Sequence, residues 1–282
     1  MRKGIEFNKA GFGRFGEAAY RKVKECGFDA VDFAMADTET YYYTLPLEEA
    51  FELMDREKAL AADAGVVISQ VHGPWRWPPM DTTPEDRAER LEKMIRSIRL
   101  TARLGCKHWV VHPIMPCTVE DLDNGQAEET WKLNLDFMAK LLAVAREENV
   151  IICLENMPML RFSLARPEGI MRVVNAMNDD HFATCLDTGH VAIFPDEDIA
   201  DAVKTFGNKL KIMHVHDNSG RGDEHKHPYY GILDWKKYAA ALRDIGFDGV
   251  FSLETLPSTK LPDHLFLEGC VTLSHIVDEI LA

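Results

Sequence analysis

The six cysteines of this 282-residue chain, at 26, 106, 117, 153, 185 and 270, form no CxxC pair and no regular framework. That argues against a thiolate zinc site and a disulfide scaffold, and for reduced thiols in a cytoplasmic setting. No run approaches the ~18 apolar residues that a membrane span requires. The opening "MRKGIEFNKAGFGRFGEAAY" goes straight into polar and Gly-rich sequence, without the apolar centre of a signal peptide. A soluble, cytoplasmic protein with no membrane partner is expected. Positive charge is also short, with 32 Lys and Arg against 46 Asp and Glu, a formal charge of -14. That is the wrong sign for a protein that neutralises phosphates, so nucleic acid is a disfavoured partner. Linkers, short repeats and low-complexity stretches are absent as well, and 1–282 reads as one domain.

What is present is an ordinary globular balance, 46% hydrophobic and 28% charged. Short apolar runs recur, and strands are expected at 4 to 8, 30 to 36, 66 to 72, 108 to 113, 150 to 156, 182 to 188, 211 to 217 and 249 to 255. Between them lie stretches such as "EDRAERLEKMIRSIRLTARLG", with apolar residues at helical spacing and a Gly at the stop. "DWKKYAAALRDIGFDGVFSLE" shows one whole unit, a helix from 234 to 245, a Gly turn and a strand. Eight strands alternating with helices predict an α/β protein with a parallel sheet, closed as a single-domain (β/α)₈ barrel. An open doubly wound sheet fits less well, because no GxGxxG follows the first strand.

In such a barrel the chemistry sits at the C-terminal strand ends. There the chain carries His72, His112, Glu155, Asp187 with His190, His214 with His216, and Glu254. A histidine taken singly is more often a hydrogen-bonded core or loop residue than a ligand. Glu155 and Glu254 are harder to dismiss, since each ends an apolar run that points into the barrel, where an unpaired carboxylate is costly. No inward strand end offers Arg or Lys to face them, so a divalent cation shared with Asp187 and a histidine is the economical partner. His214 and His216 are one residue apart and share a face of their strand. The loop beyond adds Asp223 and His225, a chelating spacing set in the turn-like "SGRGDE".

The order "VHGPW", "VVHP", "LEN", "LDTGH", "HVHD", "DEH" and "SLET" resembles the xylose isomerase-like TIM barrel superfamily, which joins endonuclease IV to sugar isomerases, ketose 3-epimerases and inosose dehydratases. The resemblance implies a central Mn²⁺, Mg²⁺ or Zn²⁺ on Glu155, Asp187, His214 and Glu254. It also implies that His72, His112, His190, Asp223 and His225 stand where endonuclease IV holds two further zinc ions, so that one to three ions are expected. His216 is then placed behind the ligands or against the substrate.

The ligand set alone leans toward phosphodiester hydrolysis. The loops lean the other way. "DTETYYYTLPLEE" and "PIMPCTVEDLDNGQAEET" hold no Lys or Arg, and the second holds five acids, where a duplex needs positive charge. Trp75, Trp77 and the Tyr41 to Tyr43 run offer flat surface for a sugar ring. The expectation is a metal-dependent isomerase or epimerase of a sugar or sugar phosphate, with Glu155 and Glu254 exchanging a proton through an enediolate. An endonuclease IV-like zinc phosphodiesterase is the alternative, and a homo-oligomer is left open. His190, Arg161 and Arg221 are candidates for orienting hydroxyls or a phosphate. The known 3-epimerases have a Glu at the position of Arg161 and an Arg at that of Gly220, which points from a free ketohexose toward a phosphorylated or acidic sugar.

Overall fold

The computed structural model describes residues 1–75, 81–118 and 125–282. Among the described residues are eight strands: β1 (Arg2–Phe7), β2 (Ala30–Ala34), β3 (Val67–His72), β4 (His108–Val111), β5 (Ile151–Glu155), β6 (Phe182–Asp187), β7 (Leu210–His214) and β8 (Val250–Leu253). Each expected strand is found, with ends displaced by at most three residues. All seven pairings are parallel, in the order β7-β6-β5-β4-β3-β2-β1-β8. The two ends of that sheet meet at one bridge. The Val215 N–H donates to the Ser252 carbonyl at 2.9 Å, and the Glu254 N–H donates to the Val215 carbonyl at 3.0 Å. The sheet is thus a nearly closed barrel, with helices between the strands.

The helices begin and end where local chemistry dictates. Pro84–Leu104 starts with Thr83 and Asp86 capping one another's backbone N–H, has Pro in the first turn, and stops at Gly105 with φ +78°. Its buried Met94, Ile98, Thr101 and Leu104 recur at three and four residues, giving one stripe against the barrel. Side chains alternate along the strands, so the core has two parts. Outward residues such as Ile152, Leu154 and Leu186 join the large layer beneath the helices. Val110, Cys153, Ala183, Cys185 and Ile212 form a small plug inside the barrel. The next inward position on each of those strands carries the ionisable residues.

Candidate active site

Two steps along β5 from Cys153 is Glu155, two along β6 from Cys185 is Asp187, and two along β7 from Ile212 is His214. Pairing puts Glu155 beside Cys185 and Asp187 beside His214, so the alternation of each strand delivers its polar residue to one layer above the plug. Above that layer a cavity of ≈ 770 Å³ opens, lined among others by His72, His112, Glu155, His190, Asp223 and Glu254.

The inner part of the layer is centred on Glu155, 1% exposed. His112 Nε2 donates to its Oε2 at 2.9 Å, and His214 Nδ1 donates to its Oε1 at 3.0 Å. Glu254 Oε2 lies 3.5 Å from the same His214 nitrogen. His72 stacks on His214 with ring centroids 5.3 Å apart. Its donor atom lies within 4.8 Å of one from His214 and one from Glu254.

The outer part is centred on Asp187. One of its oxygens accepts the His190 backbone N–H at 2.7 Å, capping the short turn Thr188–Ala192, and the other is 3.0 Å from His216 Nε2. Asp223 completes the group, 3.3 Å from both His190 Nε2 and His225 Nε2. Asp223 and His225 return here because the loop folds back on itself. Asp217 and Lys226 exchange two backbone hydrogen bonds of 2.8 Å, making a closed loop of the residues between them. His225 holds φ +46°, a left-handed conformation that non-glycine residues rarely adopt.

The histidines are oriented by their second nitrogens. Nδ1 of His72 donates to the Gly73 carbonyl at 2.9 Å, that of His190 to the Asn156 carbonyl at 2.7 Å, and that of His225 to the Glu254 carbonyl at 2.8 Å. Each of these rings therefore turns its Nε2 away from the backbone. His214 is held the opposite way, with Nε2 2.9 Å from Asp32 Oδ2, off the line of a well-aligned hydrogen bond, and Nδ1 toward the glutamates. Tying one imidazole nitrogen to a carbonyl or carboxylate and presenting the other is how proteins fix a metal-binding histidine.

Protonation is divided between the groups. Burial pushes the Glu155 carboxyl up, but His214 and His112 outweigh it and hold the group well below the usual carboxylate range. Burial prevails at Glu254 and raises it well above that range, against His214 and His225. Burial takes His112 down to about 4. At Asp187 burial is overcome by His190 and His216, leaving the group at about 2. Burial is likewise overcome at His190, which Asp187 and Asp223 bring up to about 10.

The expected substrate contacts are spread more widely. Arg161 and Arg221 are exposed residues on the cavity wall, and Trp75 lines it with its ring 4.3 Å from that of His112. His216 does not reach the cavity. It is fully buried, its ring packs against Gly189, and it stacks on His225 at 4.1 Å, so it backs Asp187. Tyr41 and Tyr42 line a different cavity, and Tyr43 donates its hydroxyl to the Met35 carbonyl. Trp77 lies outside the described residues.

Three residues were given no structural role from the sequence. Asp32, 2% exposed on β2, touches His214 and accepts from Gln70 Nε2 at 3.1 Å, while Gln70 also donates to the Met213 carbonyl at 3.2 Å. The signal was available, a charge inside "AVDFA" and an amide inside "ISQVH". Asp217, fully buried, accepts from the backbone N–H of Asn218, Tyr229 and Leu233 and from Trp235 Nε1, all at 3.0–3.2 Å. It organises the segment after β7, and a methyl on Gly231 would run into its carboxylate.

A sequence model described as xylose isomerase-like TIM barrel matches residues 20–269. The chain belongs to that family. It is 27% identical over 245 residues to an uncharacterised protein of Methanocaldococcus jannaschii, covering 84% of this chain and 78% of that one. It is 23% identical over 239 residues to a D-psicose 3-epimerase of Enterocloster bolteae, covering 83% and 74%. A solved D-tagatose 3-epimerase-like protein superposes with a TM-score of 0.79 at 23% identity, over 100% of this chain and 97% of that one. The IOLI protein, solved with a bound zinc atom, superposes with a TM-score of 0.73 at 19% identity, over 100% and 98%. Sugar epimerases and isomerases are thus homologues and structural neighbours of this barrel.

Proposed function

We propose that the protein is a divalent-metal-dependent isomerase or epimerase acting on a sugar or sugar phosphate. The observation that carries this reading is the orientation of the imidazoles, with His72, His190 and His225 tied at Nδ1 by backbone carbonyls and His214 held against Asp32 at Nε2. His214 Nδ1 faces Glu155 and Glu254, and Nε2 of both His190 and His225 faces Asp223. His112 Nδ1 is moreover buried without a hydrogen-bond partner. Such a set of nitrogen and oxygen donors fits Mn²⁺, Zn²⁺ or Mg²⁺.

Glu155, Asp187, His214 and Glu254 would hold a central ion, and His72, His112, His190, Asp223 and His225 would hold up to two more. A bound divalent ion supplies Lewis acidity, polarising a substrate carbonyl and making the neighbouring C–H more acidic. Glu155 and Glu254 reach the cavity from β5 and the end of β8. One removes the proton from the carbon beside the carbonyl, leaving an enediolate, and the other returns a proton to the carbon skeleton. Arg161, Arg221 and His190, on the wall above, orient hydroxyls or a phosphate. The names of the curated relatives, D-psicose 3-epimerases among them, and the zinc in the IOLI structure support this reading. No described helix is long and apolar enough to cross a membrane.

One observation favours a second reading, a zinc phosphodiesterase. Asp223 lies 3.3 Å from Nε2 of both His190 and His225, a grouping of donors that an outlying ion would need. A panel of ketoses, aldoses and their phosphates, incubated with Mn²⁺ and separated by chromatography, tests the choice. Sugar interconversion that stops with a chelator is expected. Cleavage of an abasic-site oligonucleotide at physiological salt, with no sugar converted, would reverse the ranking.

A further inference from the structure

Beside the cavity over the ligands lies a second one of ≈ 670 Å³, between the loops that follow β1 and β2 and the helix Leu47–Asp63. Glu6, Ala34 and Ala36 line both cavities, and two of these three carry only a methyl group, so the wall between them is low. Each volume falls within the roughly 300–1,000 Å³ that encloses a drug-sized ligand, whereas a monosaccharide has only about a dozen non-hydrogen atoms. A substrate of one ring leaves the second space to water.

The lining has a definite chemistry. Tyr41, 43% exposed, and Tyr42 present aromatic surface, and the buried Phe33 packs against Tyr42 with ring centroids 5.9 Å apart. Four acids, Glu6, Glu17, Asp37 and Glu57, outnumber Lys9 and Arg56, and Arg56 is bonded to Glu17 at 2.6 Å. The excess of acid opposes a phosphate or carboxylate here, while Arg161 and Arg221 stand on the wall of the other cavity. Aromatic faces among acceptors suit a neutral polyhydroxylated ring.

We propose that this second cavity is a sugar-ring subsite and that the substrate is a glycosylated ketose, its reducing sugar over Glu155 and Glu254 and its neutral glycosyl group between the β1 and β2 loops. The assignment of the reducing end rests on the isomerase reading above. Neither Tyr41 nor Leu60 lines the ligand cavity, so both can be changed without touching it.

The test uses the full chain loaded with Mn²⁺ and two ketose disaccharides, isomaltulose and lactulose, with fructose as the single-ring control. Calorimetry reads binding and deuterium uptake in D₂O reads turnover. At least one disaccharide should bind about tenfold more tightly than fructose. Tyr41→Ala and Leu60→Trp should each remove that advantage and leave fructose within about twofold. Should Leu60→Trp fail to fold, the exposed Tyr41→Ala carries the test. Equal binding of all three sugars, no binding of either disaccharide, or indifference to both variants overturns the subsite. Binding that the variants weaken, without deuterium uptake, upholds the subsite and contradicts the isomerase reading. Turnover of fructose without preference does the reverse.

Discussion

From β3 round to β8 the inward residue at the strand end is His72, His112, Glu155, Asp187, His214 and then, just past β8, Glu254, whereas β2 and its extension offer Ala34 and Ala36. The same alternation rule governs both arcs of the barrel mouth. On the first arc it gathers ionisable groups too deeply buried to stay unpaired, and the structure answers with imidazole–carboxylate contacts of 2.9–3.0 Å. On the second it places methyl groups, and the result is open volume. The contrast teaches that the chemistry and the size of the substrate are set by different strands.

The comparison breaks most sharply at the glutamates. Glu155→Gln or Glu254→Gln should lower sugar turnover by roughly 10²–10⁴-fold, the range for a positioned acid or base. Changes at Tyr41 should leave single-ring turnover alone, so steady-state kinetics of both sets compare the two arcs directly.

Next in size is the loop that brings Asp223 and His225 back to the first arc. Asp217→Ala strips the acceptor from four donors, two of them buried, and should cost ~3 kcal/mol, read by denaturant unfolding. Gly231→Ala should destabilise the same segment through its collision with Asp217.

Asp32 stands at the border, on the methyl-bearing strand but against a residue of the ligand arc. Asp32→Asn should weaken Mn²⁺ binding by roughly 10–100-fold, measured by titration calorimetry, the usual cost of losing a carboxylate behind a metal-binding histidine.

The smallest effect belongs to the far face of the barrel. Arg146 holds the Asp179 carboxyl below its usual range, chiefly by a side-chain hydrogen bond, with the His181 N–H assisting. A depressed carboxylate stabilises the fold above its unfolded pKa and ceases to as pH falls through the folded one. Arg146→Ala should therefore lose less than about 1 kcal/mol at pH 7, a difference that shrinks as the pH is brought down through 4 toward 3. Sugar turnover at pH 7 should be unchanged.

Strand positions were legible because each is a short β-branched or apolar run bounded by Gly or polar residues, and the ligand arc because Glu155 and Glu254 end such runs. His216 was legible as an inward residue standing either behind the ligands or against the substrate; which of the two it is depends on the close approach of Gly189 from the neighbouring strand end. The Tyr41–Tyr43 run was legible as aromatic surface but not as part of a second cavity, which exists only where the β1 and β2 loops meet the helix Leu47–Asp63. Asp32 and Asp217 look in sequence like any strand or turn acid. Their roles come from Gln70, His214, Tyr229 and Trp235, partners up to 182 residues away along the chain, as the His214 contact with Asp32 shows.

The central claim is proton transfer at a carbon beside a carbonyl by Glu155 and Glu254. Its most direct measurement is the NMR spectrum of sugar recovered from D₂O after incubation with the Mn²⁺-loaded protein. The account predicts deuterium at that single carbon in substrate and product, and none with Glu155→Gln or Glu254→Gln. Product formed without deuterium, or deuterium uptake undiminished in both variants, would contradict it.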